Sequence, residues 1–277
     1  MKPILHRWHS LVWLPALVLC LLFSGTCSKP GGSSDEEEQA RQMLEERRKA
    51  EGTLFQDRTV SSSYMGRNMT YSVWLPGDYD ETKTYPFLYL LHGYEYGDQS
   101  HLDRYWVQKG NARSIARDYM LKGGVPMVII MPNGLDSFYV GAYEQYFEEE
   151  LMDAVEKAYH CNGKRAIAGL SMGGYGTLYH ALKYPSKFTY AYAMSPAVMG
   201  DMSALIDVHD DKSVFPSFTI EVGLQDFVVD NSASEALCQY MKNHGIDCEW
   251  VTRAGSHDWN FWQVCLPKAL KKAGESF

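Results

Sequence analysis

The strongest constraint on the fold of this chain is the alternation, over residues 53–277, of short apolar runs with stretches of helical period. The strand-like runs are residues 69–75, 87–91, 125–131, 165–168, 190–194, 218–222 and 248–252. The helical patterns are residues 111–121, 145–159, 172–183, 233–243 and 259–272. This alternation predicts an α/β fold in one domain, with a mostly parallel sheet covered by helices on both faces.

The composition is that of a globular protein and limits the functions that this chain can have. Of its 277 residues, 45% are hydrophobic and 22% are charged, which excludes a mostly disordered chain. The 34 acidic against 26 basic residues give a formal charge of −8, which argues against nucleic acid as a partner. The cysteines and histidines lack the spacing of a zinc site, and we expect neither metal nor cofactor.

The first 26 residues have the pattern of an export signal. Lys2 and Arg7 precede an apolar run over residues 11–23, which is too short for a membrane span and is typical of a signal peptide. The following Ser-Gly-Thr-Cys resembles a lipoprotein cleavage site, and it predicts that Cys27 is lipidated. Thr26 departs from the usual Gly or Ala, and the alternative is ordinary cleavage that gives a soluble secreted product. We expect an exported protein, either an outer-membrane lipoprotein (periplasmic or surface face) or a secreted one.

Residues 27–52 are expected to connect this signal to the folded domain. Residues 28–34 are rich in Gly and Ser, which is typical of a flexible tether, and four acidic residues follow at 35–38. The acidic run resembles the export signal of surface lipoproteins in Bacteroidetes, and the alternative is a solvated charge run. Residues 39–51 predict a short, charged, exposed helix.

Apart from Cys20 in the leader and the predicted lipidation site Cys27, the chain has four cysteines: Cys161, Cys238, Cys248 and Cys265. An exported protein can keep disulfides, and four cysteines allow three pairings. The most local pairing is Cys238–Cys248, because a short helix-to-strand connection would bring the two close together.

The motif G-x-S-x-G at residues 169–173 marks Ser171 as a candidate nucleophile. The pattern alone is weak, but here it lies between an apolar strand and a helical segment, which is the context of a nucleophile elbow. The glycines relieve crowding in a sharp strand-to-helix turn, and the serine hydroxyl lies at a helix N-terminus that favours negative charge. The alternative is a glycine-rich turn without chemistry.

A serine nucleophile needs a base and an acid that orients the base, and after an elbow the acid precedes the histidine in the chain. The later histidines are His180, His209, His244 and His257. His257 follows the last strand, at the edge where ligands bind in open α/β sheets, and we predict that it is the base. Asp226 is the first acid after the strand at 218–222, and we predict that it orients His257. Asp230 is the fallback, although it suits a helix N-cap better.

The negative charge that develops on the substrate oxygen needs two hydrogen-bond donors. One is predicted to be the backbone N–H of Met172, directly after the nucleophile. The other is predicted in the loop after the strand at 87–91, where Gly93 permits a conformation that aims the Tyr94 N–H inward. His92 is expected to be structural.

Several segments in order resemble one known family: LLHGYEYGD, VIIMPNG, YEQYFEEELMDAVEKAY, IAGLSMGGYGTLYHALKYPSKF, GLQD and SHDWNFW. Together they are similar to the "putative esterase" family of α/β-hydrolases, which includes feruloyl and acetylxylan esterases of carbohydrate esterase family 1 and esterase D. The resemblance covers roughly residues 60–272. It implies an α/β-hydrolase fold with an eight-stranded, mostly parallel sheet and a minimal lid, and the triad Ser171, Asp226 and His257.

An export leader on such a domain resembles the esterases that remove feruloyl or acetyl groups from xylan. Aromatic residues at the expected rim would suit a ring-stacking pocket, or they are core: Tyr94, Tyr96, Tyr139, Tyr143, Tyr146, Trp259 and Trp262. We expect Tyr94, Tyr96 and Trp259 to bind substrate. The partner would be an acylated polysaccharide or a small ester, with membrane contact only through a lipid anchor. Alternatives are a generic carboxylesterase, such as one like S-formylglutathione hydrolase, and a non-catalytic glycan-binding lipoprotein.

Overall fold

A computed structural model describes residues 34–277 of the chain. The strands are β1 (Thr53–Ser62), β2 (Arg67–Leu75), β3 (Tyr85–Leu91), β4 (Val128–Pro132), β5 (Cys161–Leu170), β6 (Tyr190–Met194), β7 (Ser217–Gly223) and β8 (Cys248–Arg253). The helices are α1 (Ser34–Glu51), α2 (Tyr105–Gln108), α3 (Ala112–Leu121), α4 (Ala142–Gln145), α5 (Met152–Ala158), α6 (Met172–Lys183), α7 (Ser203–Asp207), α8 (Asn231–Asn243) and α9 (Trp259–Ser276). Residues 42–277 form one compact unit, and the first turns of α1, residues 34–41, belong to another.

The strands form one eight-stranded sheet in the order β1-β2-β4-β3-β5-β6-β7-β8. The pairs β1–β2 and β2–β4 are antiparallel, and the neighbours from β4 to β8 are parallel. The predicted α/β-hydrolase architecture is therefore confirmed. Since β3, β5, β6, β7 and β8 run in parallel, their carboxyl ends meet at one edge of the sheet, and the loops at this edge carry the candidate site.

Strand β1 is the one strand that the sequence patterns missed. It pairs only with β2, at the edge of the sheet, and most of its residues are exposed or half-buried. An edge strand with solvent on several sides carries polar residues such as Gln56 and Arg58, so its sequence lacks an apolar run. A register shift between Phe55 and Arg58 breaks the pairing further.

The core lies on both faces of the sheet, as successive side chains of a strand point to opposite faces. In β3, Phe87, Tyr89 and Leu91 pack on one face with α5 and α6. Leu88 and Leu90 pack on the other face with α3 and α9. All seven residues of β3 are buried, which accounts for its unbroken apolar sequence.

Several boundaries differ from the predicted ones. Helix α1 begins at Ser34, so the acidic run falls in its first turn, where carboxylates interact favourably with the helix dipole. The predicted helix at 145–159 is α4, a π-helical stretch over Tyr146–Leu151, and α5. Strand β4 begins at Val128, because Pro126 has no N–H to donate to a ladder.

Of the three possible cysteine pairings, the structure contains Cys238–Cys248, which joins α8 to β8. Cys161 and Cys265 are free thiols. Within residues 34–277 no helix is both long and apolar enough to cross a membrane. The predicted signal peptide (1–26) and Cys27 lie outside the described residues.

Candidate active site

Ser171 lies on a strained turn between β5 and α6. Its backbone has φ 53° and ψ −117°, a conformation that non-glycine residues rarely adopt. The turn is held by Ser171 N–H, which donates to the Met194 carbonyl at 2.9 Å, and by the Ser171 carbonyl, which accepts from the N–H groups of Tyr175 and Ala197. Strand, helix and the β6 loop thus fix the serine together, and its hydroxyl projects from the edge of the sheet.

The glycines around Ser171 are required by close backbone contacts. A Cβ on Gly173 would lie 2.5 Å from the carbonyl oxygen of His92. A Cβ on Gly93 would lie 3.2 Å from the Cβ of Ser171 and 2.5 Å from the side chain of Leu170. The loop after β3 therefore runs directly against the nucleophile turn.

The structure brings Ser171, His257 and Asp226 together. His257 Nε2 lies 2.9 Å from Ser171 Oγ, and His257 Nδ1 lies 2.7 Å from Asp226 Oδ2. The carboxylate accepts hydrogen bonds only, so Nδ1 carries the proton and Nε2 is left to accept from the serine hydroxyl. This nucleophile–base–acid arrangement is able to transfer acyl groups.

The loops that carry His257 and Asp226 are tied to each other. Gln225 N–H donates to the Gly255 carbonyl at 3.0 Å, and Gly255 N–H donates back to the Gln225 side-chain oxygen at 2.7 Å. The Asp226 side chain is fully buried, and its Oδ1 accepts from the Val228 N–H at 3.0 Å. The His257 ring packs edge-on against Trp262 at 4.9 Å. The acid and the base are thus held at a fixed separation.

Met172 follows Ser171 directly and begins α6, and Tyr94 follows Gly93, whose Cβ position lies 3.2 Å from the Cβ of Ser171. Neither of their backbone N–H groups donates a hydrogen bond to a residue in 34–277. Two unengaged backbone donors beside a nucleophile are able to bind a developing oxyanion.

The remaining polar candidates have structural contacts. Asp230 caps α8 and accepts from Ser232 and Ala233 N–H groups. His180 is buried in α6 and lies 2.6 Å from Glu148. His244 bonds to a carbonyl at the end of α8. The ring of His209 packs against that of Phe215.

Most of the rim aromatics are core residues. Tyr139, Tyr143, Tyr146 and Trp262 are buried, so of the two readings left open for these side chains, pocket or core, the structure supports the core. Tyr94 and Tyr96 are 41% and 86% exposed. Trp259 is half-buried, with its ring 5.3 Å from both Trp106 and Trp262.

Exposed apolar side chains in the loops after β6 and β7 were not among the predicted site residues. Phe227 is 90% exposed and Val228 72%, and both follow β7. Leu224 follows the same strand, and Met199 lies in the loop after β6. Their position just after the carboxyl ends of parallel strands is the signal that would have found them.

One group in residues 34–277 has the composition of a metal site: Asp57, His101 and Asp103. Arg104 already pairs with Asp57, and the hydroxyls of Thr70 and Ser72 donate to Asp103. The protein's own donors therefore engage these carboxylates.

The chain matches known proteins over most of its length. The sequence model of a family described as "Putative esterase" matches residues 62–273. An acetyl esterase of Caldicellulosiruptor saccharolyticus is 27% identical, over 76% of this chain and 94% of that protein. An endo-1,4-beta-xylanase/feruloyl esterase of Xylanibacter ruminicola is also 27% identical, over 76% of this chain but 30% of that protein. The solved structure of a ferulic acid esterase superposes with a TM-score of 0.70 at 25% identity, over 82% of this chain and 98% of that one.

Proposed function

This chain belongs to the "Putative esterase" family and is an esterase, and we propose that it acts through an acyl-enzyme formed on Ser171. The observation that carries the proposal is the hydrogen-bonded line from Asp226 through His257 to Ser171 Oγ, with separations of 2.7 and 2.9 Å. A serine hydroxyl is a weak nucleophile until an adjacent base accepts its proton.

In the first half of the proposed reaction, His257 Nε2 takes the Ser171 proton while Oγ attacks the ester carbonyl carbon. The carbonyl oxygen becomes an oxyanion and accepts hydrogen bonds from the N–H groups of Met172 and Tyr94. When the C–O bond to the alcohol breaks, His257 returns the proton to the leaving oxygen. Asp226 stabilises the imidazolium and holds its tautomer.

In the second half, His257 deprotonates a water molecule that attacks the acyl carbon. The oxyanion forms again at the same two donors, the bond to Ser171 Oγ breaks, and the proton on His257 goes to Oγ. The products are a carboxylic acid and free enzyme, so the cycle uses one water and no cofactor.

The proposed substrate is an acylated plant polysaccharide or oligosaccharide, with feruloyl or acetyl groups on xylan. Two relatives are named for acetyl or feruloyl ester hydrolysis, and one of these also carries a xylanase name. Exposed aromatic surface is added by Tyr94 and Tyr96 in the loop after β3 and by Phe227 in the loop after β7, which also carries Asp226. Aromatic faces stack on planar feruloyl rings and on the apolar faces of sugars.

A panel of esters tests both parts of the proposal, the nucleophile and the substrate class. Wild type, Ser171→Ala and Ser234→Ala are assayed on p-nitrophenyl acetate, methyl ferulate, acetylated xylan and S-formylglutathione. Ser234 is a matched control, since its buried hydroxyl in α8 has no hydrogen-bond partner in the described chain. We expect Ser171→Ala to lose activity on every substrate that wild type cleaves, and Ser234→Ala to keep it.

Each outcome has a distinct meaning. Unchanged hydrolysis by Ser171→Ala would overturn the nucleophile assignment. Activity confined to p-nitrophenyl acetate would indicate a generic carboxylesterase. A preference for S-formylglutathione would indicate that a thioester, and not an acylated polysaccharide, is the substrate. Binding of xylan without turnover would favour a glycan-binding lipoprotein.

We also propose that the domain is displayed outside the cytoplasmic membrane, with residues 1–26 as the signal peptide, Cys27 as the lipidated residue and residues 27–52 as the connection to the esterase domain at 53–277. The proposal is supported by the sequence pattern. Metabolic labelling with radioactive palmitate tests it in the producing cell: label in wild type but not in Cys27→Ala is expected, and an unlabelled, released wild type would indicate ordinary secretion.

A further inference from the structure

His92 is a buried histidine whose ring is fixed at both nitrogens. It follows β3 and is 1% exposed. Its Nε2 accepts a hydrogen bond from Gly134 N–H at 2.7 Å, so the ring proton is on Nδ1. Nδ1 in turn lies 2.7 Å from the carbonyl oxygen of Gly93 and donates to it. The ring therefore holds the orientation of the next carbonyl in the chain.

That carbonyl belongs to the same peptide group as the Tyr94 N–H. The peptide is trans and planar, so its C=O and N–H point in opposite directions. Holding the Gly93 oxygen at His92 therefore turns the Tyr94 N–H to the opposite side. Rotation of this peptide would break a buried hydrogen bond and would leave a carbonyl oxygen in place of the proposed oxyanion donor.

The preceding peptide is fixed by a second buried side chain. Tyr139 Oη donates to the carbonyl oxygen of His92 at 2.9 Å. The Tyr139 ring is fully buried between two glycines, because a Cβ on Gly134 or Gly176 would lie 2.4 or 2.6 Å from it. Two successive carbonyls before Tyr94 are thus held by side chains from the core.

Tyr139 is itself held by a buried ionisable pair. His180 Nε2 donates to the Tyr139 carbonyl at 2.9 Å, and His180 Nδ1 lies 2.6 Å from Glu148 Oε1. Lys187 bonds the other oxygen of Glu148 at 2.5 Å. These hydrogen bonds hold the backbone of the loop that contains Tyr139. The loop has an unusual conformation, since Leu135, Phe138 and Tyr139 all have positive φ. A loop of that kind needs specific partners to remain in one conformation.

We propose that Tyr139 and His92 are positioning residues, which hold the Gly93–Tyr94 peptide so that the Tyr94 N–H faces the oxyanion. The inference rests on the proposed acyl-enzyme function. A positioning role can be told apart from ordinary packing by its effect on catalysis. A misoriented donor weakens binding of the transition state while leaving binding of the uncharged ester unchanged.

The test is Tyr139→Phe, which removes one hydroxyl and keeps the ring. Tyr143→Phe is the matched control, because Tyr143 is equally buried, its ring is 5.2 Å from that of Tyr139, and its hydroxyl has no partner in residues 34–277. Loss of a whole oxyanion donor lowers kcat by roughly 100- to 1000-fold in other hydrolases, and partial misorientation is expected to lower it about 10-fold here. We expect KM for p-nitrophenyl acetate to stay within about twofold, and the Ki of a trifluoromethyl ketone transition-state analogue to rise as kcat falls.

A double-mutant cycle identifies the atom through which Tyr139 acts. Tyr94→Pro removes the N–H, and Tyr94→Ala is its control for the lost side chain. If Tyr139 acts through this N–H, Tyr139→Phe lowers kcat in the wild-type and Tyr94→Ala backgrounds but not in the Tyr94→Pro background.

Two results would overturn the inference. One is a kcat for Tyr139→Phe equal to that of Tyr143→Phe, and the other is a fall that persists undiminished in Tyr94→Pro. A thermal unfolding curve for each variant separates loss of fold from loss of rate. Failure of the proposed function would be seen instead as activity that survives in Ser171→Ala.

Discussion

A Cβ on Gly169 would lie 2.3 Å from the carbonyl oxygen of Gly173, well inside van der Waals contact. The end of β5 and the start of α6 cross at this point, and no side chain fits between them. We therefore expect Gly169→Ala to force the turn apart, to cost about 1–3 kcal/mol of unfolding free energy, and to lower kcat about 10-fold or more through displacement of Ser171. Urea unfolding and p-nitrophenyl acetate hydrolysis measure the two effects.

The control for this substitution is Gly245→Ala, at the end of α8. Gly245 has φ +76° but open space around its Cβ position, so alanine there introduces backbone strain without overlap. It is expected to lower stability modestly and to leave kcat unchanged. Equal kcat values for the two variants would show that the close approach at Gly169 does not position the serine.

Asp226→Asn keeps the shape of the buried side chain and removes its charge. An amide can donate to His257 Nδ1, which favours the tautomer that cannot accept the serine proton. We expect kcat to fall roughly 10³- to 10⁴-fold with little change in KM. Asp230→Asn, at the N-cap of α8, should keep nearly full activity. A loss of less than 10-fold in Asp226→Asn would contradict the assigned role of this carboxylate.

His92 makes stability sensitive to acid. Burial lowers the pKa of His92 from its usual 6.5 to about 4, so the unfolded chain binds a proton that the folded protein does not between these values. Its contribution is fully present above pH 6.5 and is lost as the pH falls towards 4. Between pH 7.5 and pH 5 the loss should be about 2 kcal/mol.

The corresponding measurement is the free energy of unfolding of wild type and His92→Gln at both pH values. Because the variant lacks the titrating group, its fall in unfolding free energy between pH 7.5 and pH 5 should be smaller than that of wild type by about 2 kcal/mol. Parallel losses in the two proteins would mean that His92 titrates normally in the folded state.

The Cys238–Cys248 disulfide closes a short loop, with a sequence separation of 10. From loop entropy, its removal in Cys238→Ser/Cys248→Ser should cost about 2–3 kcal/mol. Because Cys248 lies at the start of β8 and His257 follows the opposite end of the same strand, kcat at 25 °C should be unchanged. Cys161→Ser, at a free half-buried thiol, is the control and should leave stability nearly unchanged. Equal stability of the double variant and wild type would show that the bond does not contribute.

Tyr96 is 86% exposed, so Tyr96→Ala should leave the melting temperature unchanged. If its ring stacks on the acyl group, KM for methyl ferulate should rise severalfold while KM for p-nitrophenyl acetate stays constant. Tyr64→Ala, at an exposed tyrosine in the turn between β1 and β2, should change neither of these two KM values. A uniform change on both esters would argue against a feruloyl contact.

The helix and strand patterns could be predicted because they are local. A buried parallel strand such as β6 has apolar residues throughout, and the structure places it at Tyr190–Met194 as expected. The order of the strands, β1-β2-β4-β3-β5-β6-β7-β8, was not predicted and comes from the structure, because it depends on pairings between segments that are distant in sequence. Strand β1 escaped because an exposed edge strand has no such pattern.

By itself, the sequence determined the fold class and the esterase family, and it led to three residues, Ser171, His257 and Asp226, that the structure brings within hydrogen-bond distance. These follow from periodicity, chain order and a turn motif, which are properties of neighbouring residues. Only the tertiary structure decided that Tyr139 is a core residue whose hydroxyl reaches His92, and that Phe227 is exposed beside Asp226. Contacts between residues 47 positions apart, as for Tyr139 and His92, depend on how layers pack, and no local pattern encodes that packing.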